Sequence, residues 1–212
     1  HVNCVNITPD QKYLCAVDLG VDQVKIYKFN DETGKITLVD MLRCELESAP
    51  RIIKFSPDGR FAYLICELKN YISVYSYKDG PRGPVFELVQ TISTLNEYHS
   101  KGSAACVLRF SRDWNYVLCS NAGDNSVGIF KIDRETGMLE KICILPVSGD
   151  YPKAADFFPD NRHIMALNHE SNTMTIFRIN YEKKYFSLWG KPLKVETPNC
   201  VLVSEIEEAP KQ

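Results

Sequence analysis

The chain is 212 residues long and 44% hydrophobic, with 25 Lys and Arg against 27 Asp and Glu for a net charge of −2. That is enough apolar material for a sizeable core. The balanced charge offers no basic field for a nucleic-acid backbone and no cationic block for an anionic membrane surface, so neither nucleic acid nor membrane is expected as a partner.

In chain order the first hundred residues begin with four short apolar runs, "VNCVNI", "YLCAV", "VKIYKF" and "KITLVDML", with "TPDQ" turning between the first two and "NDETG" between the last two. These are strand lengths divided by turn chemistry, and no helical period runs long enough to compete. The second unit opens on "PRIIKFSPDGRFAYLICELKN", two strands around one tight turn. Equivalent turns "SRDW" and "FPDN" follow, so that Asp10, Asp58, Asp113 and Asp160 recur at spacings of 48, 55 and 47 residues. Seventeen residues after each aspartate stands an aromatic: Tyr27, Tyr75, Phe130 and Phe177.

Four-stranded antiparallel units repeated at this period predict an all-β fold, a β-propeller. The blades are expected at about 1–48, 49–102, 103–150 and 151–197, with 198–212 as a closing strand ("PNCVLVSEI") and tail. The sequence begins at His1, without methionine and already inside a strand pattern, so four blades of a larger ring are expected. Such a piece leaves apolar blade faces open, which predicts either further N-terminal blades or self-association.

The eight cysteines include no C-x-x-C pair, and several lie in apolar runs where a thiol packs as a small hydrophobe. Reduced thiols and a cytoplasmic location are the expectation. No apolar run approaches the ~18 residues of a membrane span, and no charged-then-apolar leader is expected.

In a blade, the start of the first strand and the end of the second meet on one face near the ring axis. Counting seven residues back from each turn aspartate gives Asn3, Arg51, Cys106 and Lys153, and nine back gives His1. Nine forward gives Leu19, Glu67, Ala122 and His169, preceded by Asp18, Cys66, Asn121 and Asn168. Arg51 and Glu67 are therefore neighbours, and His1, Asn3, Lys153, Asn168 and His169 are candidates for the same mouth. Taken singly, an Arg–Glu neighbour pair is also what a cross-strand surface ion pair looks like. His163 occupies the slot of Tyr13, Phe61 and Tyr116 and reads as a packed strand residue. Glu97, Tyr98 and His99, in the insertion "STLNEYHSKG", read as a solvated loop or as a flap over the site. No metal-ligand spacing, glycine-rich phosphate loop, serine nucleophile elbow or dinucleotide fingerprint is present.

These residues resemble the seven-bladed lactonase family, which includes the propeller-type 6-phosphogluconolactonases and a fungal muconate-lactonising isomerase. "PRIIKFSPDGRFAYLICELKN" is similar to the family's G-P-R-H-x-x-F-x-P-D-G-R-x-A-Y-x-x-N-E-L, and the likeness extends through "HVNCVNITPD", "VDLGVDQVKIYKF", "QTISTL", "SNAGDNSVGIFKID", "TGML" and "PNCVLV". The resemblance implies the last four of seven blades and places Arg51, Glu67 and His1 in the family's proposed active site. It also marks departures: Asn3 stands for the second histidine of P-H-x-H, Ala122 for the arginine of N-R-G, and Lys153 for the arginine of P-R-[DG]-F. The implied activity is hydrolysis of a small anionic sugar lactone such as 6-phosphogluconolactone. Glu67, helped by His1, would be the base, Arg51 the oxyanion or anion clamp, and Lys153 a further charge; no metal or organic cofactor is required. A muconate-type isomerase and a non-catalytic binding propeller stay open as alternatives.

Overall fold

The computed structural model describes residues 1–98 and 101–204, so His99 lies outside the described residues. The chain forms a β-propeller sector, with β1 Val2–Ile7, β2 Tyr13–Asp18, β3 Gln23–Phe29 and β4 Ile36–Arg43 in the first sheet. The second holds β5 Pro50–Phe55, β6 Phe61–Cys66, β7 Tyr71–Gly80 and β8 Gly83–Ser93. The third holds β9 Ala105–Phe110, β10 Tyr116–Asn121, β11 Ser126–Ile132 and β12 Leu139–Pro146. In the fourth, β13 Pro152–Phe157, β14 His163–Asn168 and β15 Thr173–Asn180 are joined by an interrupted outer strand, since β16 Tyr185–Leu188 and β17 Leu193–Lys194 both pair with β15. All pairings are antiparallel, and the only helix-like element among the described residues is a short 3-10 turn, Leu19–Val21.

The cores lie between blades. Cys15, Val17, Val24 and Ile26 of the first blade pack on Ile53, Ala62 and Leu64 of the second, and two further clusters join the second blade to the third and the third to the fourth. A middle strand is therefore covered on both faces, which is why "FAYLIC" of β6 is buried at every position. Each fully buried side chain such as Ile53 or Leu64 contributes about 1.5–3 kcal/mol relative to exposure. The first blade's outward face shows the converse: Val5, Ile7, Leu38 and Met41 are exposed.

The aspartate of each first hairpin works as expected from its recurrence. Thr8, Ser56 and Ser111 each donate a hydroxyl to Asp10, Asp58 or Asp113 at 2.6 Å. Phe158 replaces that hydroxyl residue in the fourth blade, and His163 Nδ1 donates to Asp160 instead, at 2.5 Å. His163 thus both packs, edge-on to Phe158 and Trp189, and completes a turn.

These turns carry a pH dependence. Burial pushes the Asp58 carboxyl up, but the Ser56 hydroxyl and the Arg60 amide and guanidinium outweigh it and hold it down at about 2, against an ordinary 3.8. A carboxyl depressed on folding contributes stability that is complete above its unfolded value and lost as the pH falls through its folded one. Urea midpoints are therefore expected to drop between about pH 4 and pH 2, and Asp58→Asn to remove part of that drop, since Asp113 and Asp160 are also lowered. An identical acid profile for wild type and Asp58→Asn would refute the assignment.

Candidate active site

The four inner strands share one irregularity. Pairing of β1 with β2 passes over Asn3, of β5 with β6 over Arg51, of β9 with β10 over Cys106, and of β13 with β14 over Lys153. A bulge leaves one residue out of the ladder and re-aims its side chain. The re-aimed residues then reach sideways from blade to blade: Asn3 Nδ2 donates to the Arg51 carbonyl at 3.4 Å, and Arg51 Nε donates to the Cys106 carbonyl at 2.8 Å.

Two charged clusters result. Arg51 Nη1 donates to Glu67 Oε2, in a salt bridge whose side chains are 30% and 21% exposed. The guanidinium is thus fixed on two sides, by a carbonyl of the next blade and by a carboxylate of its own, with N–H groups left over for a ligand. In the fourth blade, Lys153 Nζ lies 3.3 Å from His169 Nε2, 3.3 Å from Asn199 Oδ1 and over the Tyr151 ring. His169 Nδ1 is 3.3 Å from the Pro198 carbonyl. A proton on Nδ1 directed at that carbonyl leaves Nε2 to accept from the lysine.

Cys106 stands between the clusters. Burial pushes its thiol up, and it also feels the charges of Arg51, Glu67 and Lys153. A protonated thiol of this kind is a packing group, not a nucleophile. A groove of about 740 Å³ has Glu67, Lys69, Lys101, Ser103 and Tyr151 among its walls.

The structure therefore brings Asn3, Arg51 and Glu67 together, and Lys153 with His169. His1 joins neither cluster: its exposed ring lies against Gly20 of its own blade. Asn168 requires a correction. It has no accessible surface, and its Nδ2 donates to Thr173 and Thr175 at 3.1 Å, so it cross-links β14 and β15 and offers nothing to a ligand. Strand alternation explains the difference, since a shift of one residue exchanges the buried face for the mouth. Ala122 is fully buried and takes part only through its backbone. Tyr98 is 95% exposed, in keeping with a solvated loop.

Sequence reasoning passed over Tyr151, the Cys106 carbonyl and Asn199. The last was findable, because Asn199 holds in the tail the place of Asn3 in "HVNCV". Among the described residues no group of three or more His, Cys, Asp or Glu gathers as metal ligands would, and no helix is long and apolar enough to cross a membrane.

Residues 1–203 match the family model described as lactonase, 7-bladed beta-propeller. An uncharacterised protein of Lactococcus lactis subsp. cremoris is 33% identical over 95% of this chain and 58% of its own length. The 6-phosphogluconolactonase of Bacillus subtilis is 26% identical, over 95% of this chain and 56% of its own. Among solved structures, the periplasmic gluconolactonase of Pseudomonas aeruginosa superimposes with a TM-score of 0.85 at 27% identity, covering 94% of this chain and 56% of that one. The chain thus spans a little over half the length of these relatives. With its repeated blades and with this match along almost its whole length, the chain belongs to the seven-bladed β-propeller lactonases.

Proposed function

We propose that this site hydrolyses a sugar lactone carrying an anionic substituent, with 6-phosphoglucono-1,5-lactone as the first substrate to test. The observation that carries the reading is the guanidinium of Arg51, locked between the Cys106 carbonyl and Glu67, a carboxylate that also lines the groove. The names of the B. subtilis and P. aeruginosa relatives support the substrate class.

In this reading Glu67 takes a proton from water as the oxygen attacks the lactone carbonyl carbon. The uncommitted N–H groups of Arg51 stabilise the tetrahedral oxyanion. Collapse breaks the ring C–O bond, the departing alkoxide takes up the proton, and a hydroxy acid is released. Lys153, oriented by His169, supplies a point charge for the substrate's anion. Lys153→Ala is accordingly expected to raise KM about tenfold with kcat nearly constant, because a charge felt equally by ground and transition states contributes only binding. A fall in kcat at constant KM would assign Lys153 to the chemistry instead.

We extend the proposal to the first blade's open face: further blades of a longer chain cover Val5, Ile7, Leu38 and Met41, as the length of the relatives supports. A cytoplasmic location belongs to the same proposal, supported by buried thiols that pack as small hydrophobes. The deciding experiment compares lactone hydrolysis by the full-length protein and by residues 1–212. Turnover only by the longer chain is expected; none by either overturns the hydrolase, and equal turnover overturns the need for further blades. A binding-only propeller is the second reading, favoured by buried Ala122 where the family has an arginine. It predicts lactone binding without hydrolysis.

A further inference from the structure

The turn between the second and third strands of every blade passes through a left-handed Asx residue, twelve positions after the hairpin aspartate: Asp22 (φ 52), Asn70 (φ 52), Asn125 (φ 53) and Asn172 (φ 55). Asn and Asp tolerate this conformation better than most residues, so a turn role alone would explain their presence. Their side chains do more than close the turn.

Asp22 Oδ1 accepts from the Ala49 amide and Oδ2 from the Glu47 amide, both at 2.8 Å, on the connector leading into the next blade. Asn125 Oδ1 accepts from the Tyr151 amide at 2.8 Å, and Asn172 Oδ1 from the Thr197 amide at 2.8 Å. Each amide so held belongs to a non-glycine residue that is itself left-handed: Glu47 (φ 61), Ala49 (φ 53), Tyr151 (φ 59) and Thr197 (φ 40). Such residues are strained and persist only where their surroundings hold them.

The same residues set both members of each cluster. Two positions beyond Ala49 lies the bulged Arg51, and the Ala49 carbonyl accepts from the Glu67 amide at 2.8 Å. Two positions beyond Tyr151 lies Lys153, and the Tyr151 carbonyl accepts from the His169 amide at 3.0 Å. The third blade shows that the bulge alone does not need the Asx acceptor: Asn70 donates to the Ser103 carbonyl and Ala104 is not left-handed, yet Cys106 is bulged and the Ala104 carbonyl accepts from the Ala122 amide at 2.8 Å. Among the second, third and fourth blades, a left-handed residue held by an Asx oxygen occurs in the two whose mouth pair is charged, Arg51 with Glu67 and Lys153 with His169.

We propose that Asp22 is a positioning residue for Arg51 and Glu67, and Asn125 for Lys153 and His169, so that the Asx turns of the first and third blades preset the charged pairs of the second and fourth. The inference deepens the hydrolase reading and rests on it for its kinetic consequence, while its structural half stands alone.

The test uses the full-length protein with Asp22→Gly, Asp22→Asn and Asn125→Gly. Glycine keeps the left-handed turn and removes the acceptor; asparagine restores the single acceptor that Asn125 itself uses. The Arg51 Nε–H resonance, sharpened by its bond to Cys106, reports position without any assay. Asp22→Gly is expected to shift or broaden that resonance and to lower kcat/KM by about 10–100-fold, the scale of a misplacement near 1 Å. Asp22→Asn is expected to restore both, and Asn125→Gly to leave the resonance in place while raising KM as Lys153→Ala does. An unmoved resonance in Asp22→Gly, or the same loss from both glycine variants, overturns the proposal. Should Asp22→Gly fail to fold, Asp22→Asn decides it, because a displaced Arg51 resonance there contradicts the retained bond to Ala49. If the unsubstituted protein hydrolyses no lactone, the hydrolase reading fails and the resonance still judges the positioning.

Discussion

Glu67→Gln in the full-length protein is expected to lower kcat by about 10²–10⁴-fold, the usual contribution of a positioned general base, with KM changed by less than about threefold. The amide keeps the shape of the carboxylate and an oxygen for Arg51 Nη1, and the backbone bond from residue 67 to the Ala49 carbonyl is untouched. What it loses is the ability to take a proton. Stability offers the contrasting readout. The salt bridge is partly solvated, with side chains 30% and 21% exposed, so its loss should cost no more than about 1 kcal/mol. A kcat within threefold of the unsubstituted protein, alongside a small loss of stability, would reduce Arg51 and Glu67 to a cross-strand ion pair. The assay is steady-state lactone hydrolysis, with ligand affinity measured separately by calorimetry so that binding and turnover are not confused.

Much of this geometry could be read before any coordinates. Asp10, Asp58 and Asp113 mark the hairpins because a short acceptor beside a hydroxyl closes that turn, and a fixed count from them and from Asp160 lands on the inner-strand residues. Where the count allowed two neighbours, as with Asn168 and His169, only the alternation of the folded strand separated the buried one from the one at the mouth. The bulge itself was not legible, since no residue type at Asn3, Arg51, Cys106 and Lys153 announces it; it arises from the pairing of two strands. The Asx series from Asp22 to Asn172 was not singled out from the sequence, and its reach into the next blade is a tertiary fact. The same holds for the Cys106 carbonyl, because a backbone acceptor leaves no mark in a sequence. Where a local rule failed, at Phe158, the compensation by His163 emerged only from the packing of the fourth blade.

Arg51→Ala should damage binding as well as turnover, because it removes two functions at once. The guanidinium carries the positive charge nearest Glu67, and it is held for use by Cys106 through Nε and by Glu67 through Nη1. Loss of one oxyanion donor in a comparable setting costs about 10²–10³ in kcat. Arg51→Ala also takes charge from the bound anion, so kcat should fall and KM rise together, unlike either Glu67→Gln or Lys153→Ala. Arg51→Lys is not expected to rescue it: a lysine has the charge but not the planar fork that meets a carbonyl and a carboxylate at the same time. The double variant Arg51→Ala with Glu67→Gln is then diagnostic, since residues that act as one unit are grossly non-additive. Its loss should barely exceed that of Arg51→Ala alone. Losses that multiply would mean that Arg51 and Glu67 serve separate steps, and rescue by lysine would mean that bare charge, not the geometry imposed by the bulge, is what the site requires.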